Sequence, residues 1–240
     1  MATKRFRMFC GPNGSGKSTL IAEIEKQYNL GYFINADIIK TRCDRQLYLK
    51  VSDFCSTPIT QNEWELFLKK NSYDRRPSDL ESKIYIQDNI VVCKSPINSY
   101  EAAFIATFFR YRLLEEKSTF SFETVMSHES KVSFLKQVKH AGFKTYLYFI
   151  CTQDPEINKQ RVINRVQKGG HGVDVVKIVD RYYRSLGFLY EAFNSADRAF
   201  LLDSSNQKRN LILEKKVNQI EIHEQNVPSW VSHYLLDKYV

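Results

Sequence analysis

The chain has 240 residues, is 43% hydrophobic and carries a formal net charge of +8, so it is long enough for one α/β domain with insertions around a proper core. No apolar run approaches the length of a membrane span and no signal-peptide segment opens the chain, so no membrane partner is expected and the cytoplasm is the expected location. The cysteines Cys10, Cys43, Cys55, Cys93 and Cys151 are odd in number and show no C-x-x-C spacing, which argues against a disulfide framework or a zinc site. The positive charge suits a partner bearing phosphates, although solubility alone explains it equally well. No arginine-rich tail or recognisable nucleic-acid module is present, which argues against nucleic acid.

A first strand is expected over about residues 5–10. Gly11-Pro12-Asn13-Gly14-Ser15-Gly16-Lys17-Ser18 follows at once and fits G-x-x-x-x-G-K-[ST], the phosphate-binding P-loop. A helix is expected after it, from Thr19 to Tyr28, with Leu20, Ile21 and Ile24 on one face. Strand, glycine-rich turn and helix start aim several backbone N–H groups at one point, and the helix dipole adds positive potential there. Residues 11–19 are therefore the candidate nucleotide-binding segment. Lys17 would reach the β- and γ-phosphates, and the Ser18 hydroxyl would ligate Mg²⁺. The nucleotide expected is ATP or GTP.

Tyr32-Phe33-Ile34 reads as a second strand, ending in Asn35-Ala36-Asp37. A carboxylate just past a parallel strand stands at the carboxyl edge of the sheet, where open α/β sheets place ligands. Asp37 is the candidate base for an attacking hydroxyl; it also fits as the N-cap of a helix starting at Ile38. Residues 41–98 carry little pattern. Thr60 and Glu63 are spaced as a capping box for a helix that runs to about Lys70. Residues 74–79 are turn-like. Ile84–Ile86 and Asn89–Cys93 read as a hairpin with Gln87-Asp88 between.

Asn98 to Glu116 is an amphipathic helix. Ser118–Phe122 is a strand ending in Glu123-Thr124, where Glu123 is a candidate for Mg²⁺ or an acceptor hydroxyl and Thr124 for the same ligand. Ser130–Ala141 reads as a helix closed by Gly142. Thr145–Cys151 is nearly all apolar and suits a central parallel strand. Cys10 and Cys151, at strand ends, read as buried small hydrophobes. Asp154-Pro155 caps and opens the next helix, which carries Arg161 and Arg165. Gly169-Gly170-His171-Gly172 breaks it, and a second helix, about Asp174–Phe193, carries Arg181 and Arg184. This helix pair reads as a lid that sets guanidinium groups on a transferring phosphate. Arg198–Leu202 is a fifth strand, with Ser204–Asn206 weak candidates for the base of the nucleotide. Leu211–Glu214 and Gln219–Ile222 read as a terminal hairpin, and Pro228-Ser229-Trp230 opens a last helix.

The order Gly11 to Ser18, Phe33-Ile34-Asn35-Ala36-Asp37, Phe122-Glu123-Thr124, Arg165 before Gly169-Gly170-His171, and Arg181-x-x-Arg184 resembles the zeta-toxin-like P-loop kinases. The match is closest to the compact bacterial branch often labelled predicted ABC-type ATPase. The ABC label finds no support, since no LSGGQ-like signature appears. The resemblance covers about residues 4–40 and 99–206. It implies a P-loop NTPase fold with a doubly wound, mainly parallel five-stranded sheet, a helical lid and an inserted segment. The whole chain would be one kinase domain, with residues 41–98 inserted and a hairpin and helix over about 207–240. Zeta toxins phosphorylate the 3′-hydroxyl of the amino sugar in UDP-N-acetylglucosamine and are commonly neutralised by a small antitoxin. By resemblance Asp37 is the base, Glu123 binds the acceptor, and Arg165, then Arg161, Arg181 or Arg184, contact the ATP phosphates, with His171 beside them. Zeta toxins carry Glu-Gly-Thr-Leu-Arg after the third strand. Here it is Glu123-Thr124-Val125-Met126-Ser127, without the arginine, so the acceptor stands open between a nucleotide-sugar and another nucleotide. A polynucleotide or tRNA kinase and a plain nucleotide-binding module are the competing readings.

Overall fold

A computed structural model describes residues 3–71, 79–169, 172–217 and 219–239. The turn expected at 74–78, together with Gly170 and His171, lies outside the described residues. In chain order the elements are β1 (Arg5–Cys10), α1 (Lys17–Glu25), β2 (Tyr32–Ile34), α2 (Ala36–Gln46), β3 (Tyr48–Lys50), α3 (Gln61–Lys70), α4 (Leu80–Lys83), β4 (Ile84–Gln87), β5 (Ile90–Cys93), α5 (Ser99–Glu115), β6 (Phe120–Thr124), α6 (Ser130–His140), β7 (Lys144–Cys151), α7 (Pro155–Gln167), α8 (Val175–Gly187), α9 (Leu189–Ser195), β8 (Arg198–Asp203), β9 (Asn210–Lys216), β10 (Gln219–Ile222) and α10 (Ser229–Tyr234). This is an α/β chain with a mostly parallel sheet and flanking helices, the P-loop NTPase fold. No helix among the described residues is long and apolar enough to cross a membrane. The chain divides into two compact units, Met1–Asn29 with Glu123–Val240, and Leu30–Phe122.

In the first unit the strands run in the order β10-β9-β8-β7-β1. β7 is parallel to β1 and to β8, while β8–β9 and β9–β10 are antiparallel. β7 lies between two parallel neighbours, which is why its sequence is apolar almost throughout. Register puts Tyr148 opposite both Phe9 and Phe200, and its ring stacks between theirs at centroid distances of 4.9 and 4.8 Å. Phe6, on the other face of β1, packs edge-on against Phe134 of α6 at 5.8 Å. Cys10 and Cys151 are fully buried, as expected. The terminal hairpin forms and does more than its sequence suggested: β9 joins the sheet through β8. Lys215 of β9 runs under the end of α9 and donates from Nζ to the carbonyls of Phe193, Asn194 and Ala196, each at 2.9 Å. A cation there satisfies the last carbonyls and complements the helix dipole.

Asp154 caps α7 with Pro155 at its first position, and Asp174 caps α8. The single helix expected over 174–193 is two: α8 ends at Gly187, Phe188 leaves the helical ladder, and α9 starts at Leu189.

In the second unit β2 and β6 pair in parallel, Ile34 opposite Phe122. A separate three-stranded sheet has the order β3-β5-β4. The β4–β5 hairpin turns at Asp88 and Asn89, with φ of 51° and 60°, the left-handed pair that a tight two-residue turn requires. That centre is one residue later than expected. β3 gave no sequence signal because three residues are too short for a period, and only Leu49 of it is buried. The capping box at Thr60 and Glu63 forms, as does a second one, Asn98 with Glu101, at the start of α5. Trp64 of α3 is buried against Phe104 and Phe108 of α5, with centroids 6.0 and 5.2 Å away. Its Nε1 donates to the carbonyl of Ile84 at 3.2 Å.

Candidate nucleotide site

The loop 11–18 joins β1 to α1 in the first unit. Two of its glycines are demanded by close approach. A Cβ on Gly11 would lie 1.9 Å from the carbonyl oxygen of Ile150, and one on Gly14 2.6 Å from that of Asn158. Both positions also have positive φ, 139° and 77°, so glycine alone fits. The loop enters α1 through Gly16, and no side chain caps the helix. The first-turn N–H groups of α1 are thus left facing out of the helix end, toward whatever sits in the loop.

The carbonyls of the loop are turned the other way. Lys17 Nζ donates to Gly11 O at 2.8 Å and to Pro12 O at 2.7 Å. Asn158 Nδ2 donates to Asn13 O at 2.7 Å. Arg161 Nη1 reaches Gly14 O at 3.5 Å, and Ser204 Oγ donates to Ser15 O at 2.7 Å. Five successive carbonyls are therefore taken up by protein donors. Side chains of α7 and of the segment after β8 thus hold the carbonyls of Asn13, Gly14 and Ser15, while Lys17 spans those of Gly11 and Pro12 and Ser15 N donates to Pro12 O at 3.3 Å; the remaining backbone N–H groups of such a loop can form an anion-binding nest. The hydroxyl of Ser15 and Oδ1 of Asn13 are buried without a hydrogen-bond partner. The serine hydroxyl can donate to a phosphate oxygen; the asparagine oxygen only accepts and would take a donor instead. Lys17 is 7% exposed and is felt through space by its neighbours. Burial drives the Cys10 and Cys151 thiols up, and the Lys17 charge pulls back against both.

Behind the loop is a second layer of polar contacts. Thr152 donates its hydroxyl to Asn158 Oδ1, and Tyr182 of α8 donates to the Thr152 carbonyl at 2.6 Å. Arg161 Nη2 also donates to Ser204 O at 2.6 Å. Asp203, at the end of β8, accepts from Trp230 Nε1 at 2.8 Å and from Ser205 N at 2.9 Å. The carboxyl ends of β1, β7 and β8, the start of α7 and the C-terminal helix are so tied to one loop.

The expected site residues fall into groups. Gly11, Pro12, Asn13, Gly14, Ser15, Gly16 and Lys17 form the loop, with Ser18 and Thr19 exposed on the first turn of α1. Arg161 is committed to backbone carbonyls and to Ser204. Arg165 is exposed on α7, one turn further on, and Arg181 is half-buried on α8; among the described residues neither guanidinium has a hydrogen bond or ion pair. Arg184 is exposed and pairs with Asp180 at 3.5 Å, an i,i+4 contact of α8. Glu123 and Thr124 are half-buried at the end of β6, and Thr124 Oγ1 accepts from Met126 N at 3.2 Å. In the second unit Asp37 is exposed in the first turn of α2. It is not the N-cap: Asn35 is, its Oδ1 accepting from Asp37 N at 2.7 Å and Ile38 N at 3.3 Å. The cap is supplied two residues earlier, so the Asp37 carboxylate has no capping duty.

Sequence reading did not find Asn158. The available signal was its position between the cap Asp154 and the buried Val162, a polar residue in phase with the inner face of α7. Among the described residues one group of side chains is close enough to share a metal ion, Glu214, Glu221 and His223. Lys216 Nζ already lies 3.3 Å from both glutamates there. An open basin of about 530 Å³ lined by Gly142, Lys144, Asp197, Arg198 and Lys216 lies at the amino ends of β7 and β8, away from the loop. Of its charges, Arg198 is paired with Glu214, Asp197 with Lys139 and Lys216 with Glu214 and Glu221.

A family model described as an AAA domain matches residues 7–189. The chain belongs to this family. The P-loop kinase-like family implied by the motifs is thereby found. Among solved structures, the native AvrRxo1-ORF1:AvrRxo1-ORF2 complex matches at 12% identity with a TM-score of 0.60, covering 97% of this chain and 66% of that one. The same complex with ATP matches at 12% identity and a TM-score of 0.58, covering 92% of this chain and 61% of that one. The PezAT chromosomal toxin–antitoxin system of Streptococcus pneumoniae matches at 13% identity and a TM-score of 0.52, covering 89% and 72%. The chain thus spans less than two thirds of the length of the AvrRxo1 chains it resembles. At such identities the likeness is one of fold. A comparison with curated proteins finds no match.

Proposed function

We propose that the chain is a kinase that transfers the γ-phosphate of ATP to a hydroxyl of a nucleotide-sugar or nucleotide. The observation that carries this reading is the loop 11–15, whose five carbonyls are each bonded to a protein side chain, Lys17 among them. The structural likeness to a complex with ATP supports that nucleotide over GTP. ATP supplies the phosphoryl group, and Mg²⁺ would offset its charge; Ser18 and Glu123 offer the oxygen ligands such a hard cation takes. The loop N–H groups and the Ser15 hydroxyl bind and orient the phosphates. Lys17 exchanges its carbonyl partners for phosphate oxygens and stabilises charge that develops on them. Arg165 and Arg181, whose guanidinium groups have no partner among the described residues, take the outer phosphate. Arg161 braces the loop. Asp37 accepts the proton of the acceptor hydroxyl, and Glu123 and Thr124, with Arg184 further out, orient that acceptor. The kinase core is residues 4–40 and 99–206, with 41–98 inserted. The reading includes a cytoplasmic location and, by likeness to the toxin–antitoxin structures, a protein antitoxin as partner.

The test is to incubate the protein with labelled ATP and separate arms of UDP-N-acetylglucosamine, other nucleotide-sugars, nucleotides and RNA, beside Lys17→Ala and Asp37→Ala. Label should pass to one small-molecule arm and fall by about 10³-fold in each variant. Transfer by Asp37→Ala at the parent rate removes the base from the mechanism. Label released only to water leaves an NTPase, and label on RNA makes the protein a polynucleotide kinase, the reading its charge of +8 favours.

A further inference from the structure

Two of the five cysteines meet inside the second unit. Cys43 lies in the last turn of α2 and Cys93 ends β5, and their sulfurs are 3.4 Å apart. Both side chains are buried. The main chain holds them in place: Leu47 N donates to Cys43 O at 3.0 Å, and Cys93 N donates to Leu47 O at 2.8 Å. A disulfide sets its sulfurs about 2.05 Å apart, so closure needs a sulfur movement of little more than an ångström, within reach of side-chain rotation. We propose that Cys43 and Cys93 are a reversible dithiol–disulfide pair, closed by a small two-electron oxidant of the peroxide class.

The step balances as follows. The Cys93 thiolate attacks one peroxide oxygen, the O–O bond breaks, and the departing hydroxide takes up a proton as water. Cys93 is left as a sulfenic acid. The Cys43 sulfur then attacks the Cys93 sulfur; the S–S bond forms, the S–O bond breaks, and the second hydroxide leaves as water with the Cys43 proton. Two thiols and one hydrogen peroxide give one disulfide and two waters.

The surroundings assign the roles. The adjoining Cys43 thiol can donate to a Cys93 thiolate and holds the Cys93 pKa below the ordinary thiol value; burial and Glu101 oppose this, and Lys83 assists it. Lys83 Nζ sits 3.0 Å from the Glu101 carboxylate beside them. Cys43 is shifted upward by the same contact and by burial, so one sulfur of the pair ionises and the other resolves. The remaining cysteines lack this arrangement. Burial pushes Cys55 and Cys151 each up to about 12 and raises Cys10 further. Thiols of that kind are inert. Closure would join positions 50 apart in sequence, and so restrain the unfolded chain.

The proposal does not depend on kinase activity. The intact protein is treated with a small excess of hydrogen peroxide, unfolded in alkylating reagent and mapped by mass spectrometry. The expected product is one Cys43–Cys93 cross-linked peptide, with Cys10, Cys55 and Cys151 alkylated and the link reversed by dithiothreitol. The oxidised protein should melt about 5 °C above the reduced one. In folded Cys43→Ala and Cys93→Ala proteins no cross-linked peptide should form and the rise in melting temperature after peroxide should vanish. Alkylation of all five cysteines after peroxide, or links that involve the other three equally, overturns the proposal. So does a melting shift of the same size after peroxide in a folded Cys43→Ala protein.

Discussion

The loop 11–18 and the segment 41–98 respond oppositely to reading from sequence. Each contains local signals that the structure bears out: a glycine pattern in the first, a capping box and a hairpin in the second. The loop declares chemistry and the segment does not. The difference lies in where the function sits. In the proposed function the loop works through its backbone, and backbone geometry is written directly in glycines, because Gly11 and Gly14 are placed where a Cβ would strike a neighbouring carbonyl. In the segment 41–98 the local signals report helix and turn formation, and side chains declare a task only when the elements around them are known.

The largest expected effect breaks the loop itself. Gly14→Val combines a φ of 77° with a Cβ 2.6 Å from the Asn158 carbonyl. The loop must shift, its N–H groups diverge, and nucleotide affinity should fall by about 100-fold or more, the equivalent of roughly 3 kcal/mol. Calorimetric titration with ATP reads this directly. Unchanged affinity would mean that the loop is not the phosphate seat.

The matching change in the second unit should act on stability alone. Trp64→Ala removes a buried ring packed on Phe104 and Phe108 and orphans the Ile84 carbonyl. The cost should be about 3–5 kcal/mol in urea denaturation. A cost below 1 kcal/mol would mean that this aromatic cluster does not organise the unit.

A smaller change tests the brace behind the loop. Asn158→Asp keeps the shape and the acceptor for Thr152 but loses the donor to Asn13 O. Losing one buried hydrogen bond and placing a carboxylate beside a carbonyl should cost about 1–3 kcal/mol. If Asn158 sets the loop, ATP affinity should fall about tenfold while Asn158→Gln recovers part of it. A stability loss with unaltered affinity would make it a core residue only.

These residues also show where sequence reading stopped. β1, α1, β7 and α7 were legible because each carries a strong local device: a glycine turn, an unbroken apolar run, an Asp-Pro cap. Asp37 was legible as a carboxylate at a strand end, yet its capping role was misplaced, because Asn35 and Asp37 are both good caps and only the φ of −142° at Asn35 decides. Arg161 and Arg165 looked alike, one turn apart on α7. They differ because Arg161 reaches Gly14 and Ser204, residues far away in sequence. β3 and the joining of β9 to β8 were hidden for the same reason: pairing with a distant strand leaves no mark on three residues or on a hairpin.

The smallest expected effect compares the units by their acid clasps. In the second unit Glu116 accepts from Ser56 N at 3.2 Å, Ser56 Oγ at 2.7 Å, Thr57 N at 3.1 Å and the Thr57 hydroxyl. Burial pushes its pKa up, but these hydrogen bonds outweigh burial and hold it below the ordinary value. In the first unit Asp197 is lowered in the same way, burial being overcome by Thr145 N and Oγ1 and by Lys139. A carboxyl lowered on folding adds stability that is fully present above its unfolded pKa, about 4.3 for Glu and 3.9 for Asp. That stability is lost as pH falls through the folded value. Glu116→Gln should therefore cost about 1 kcal/mol at pH 7, and the gap from the parent should close as the pH is lowered past 4. The Asp197→Asn gap should close over a slightly lower range. Denaturation at a series of pH values separates the two, and a Glu116→Gln gap that stays constant down to pH 3 would show that shape, not charge, makes the clasp.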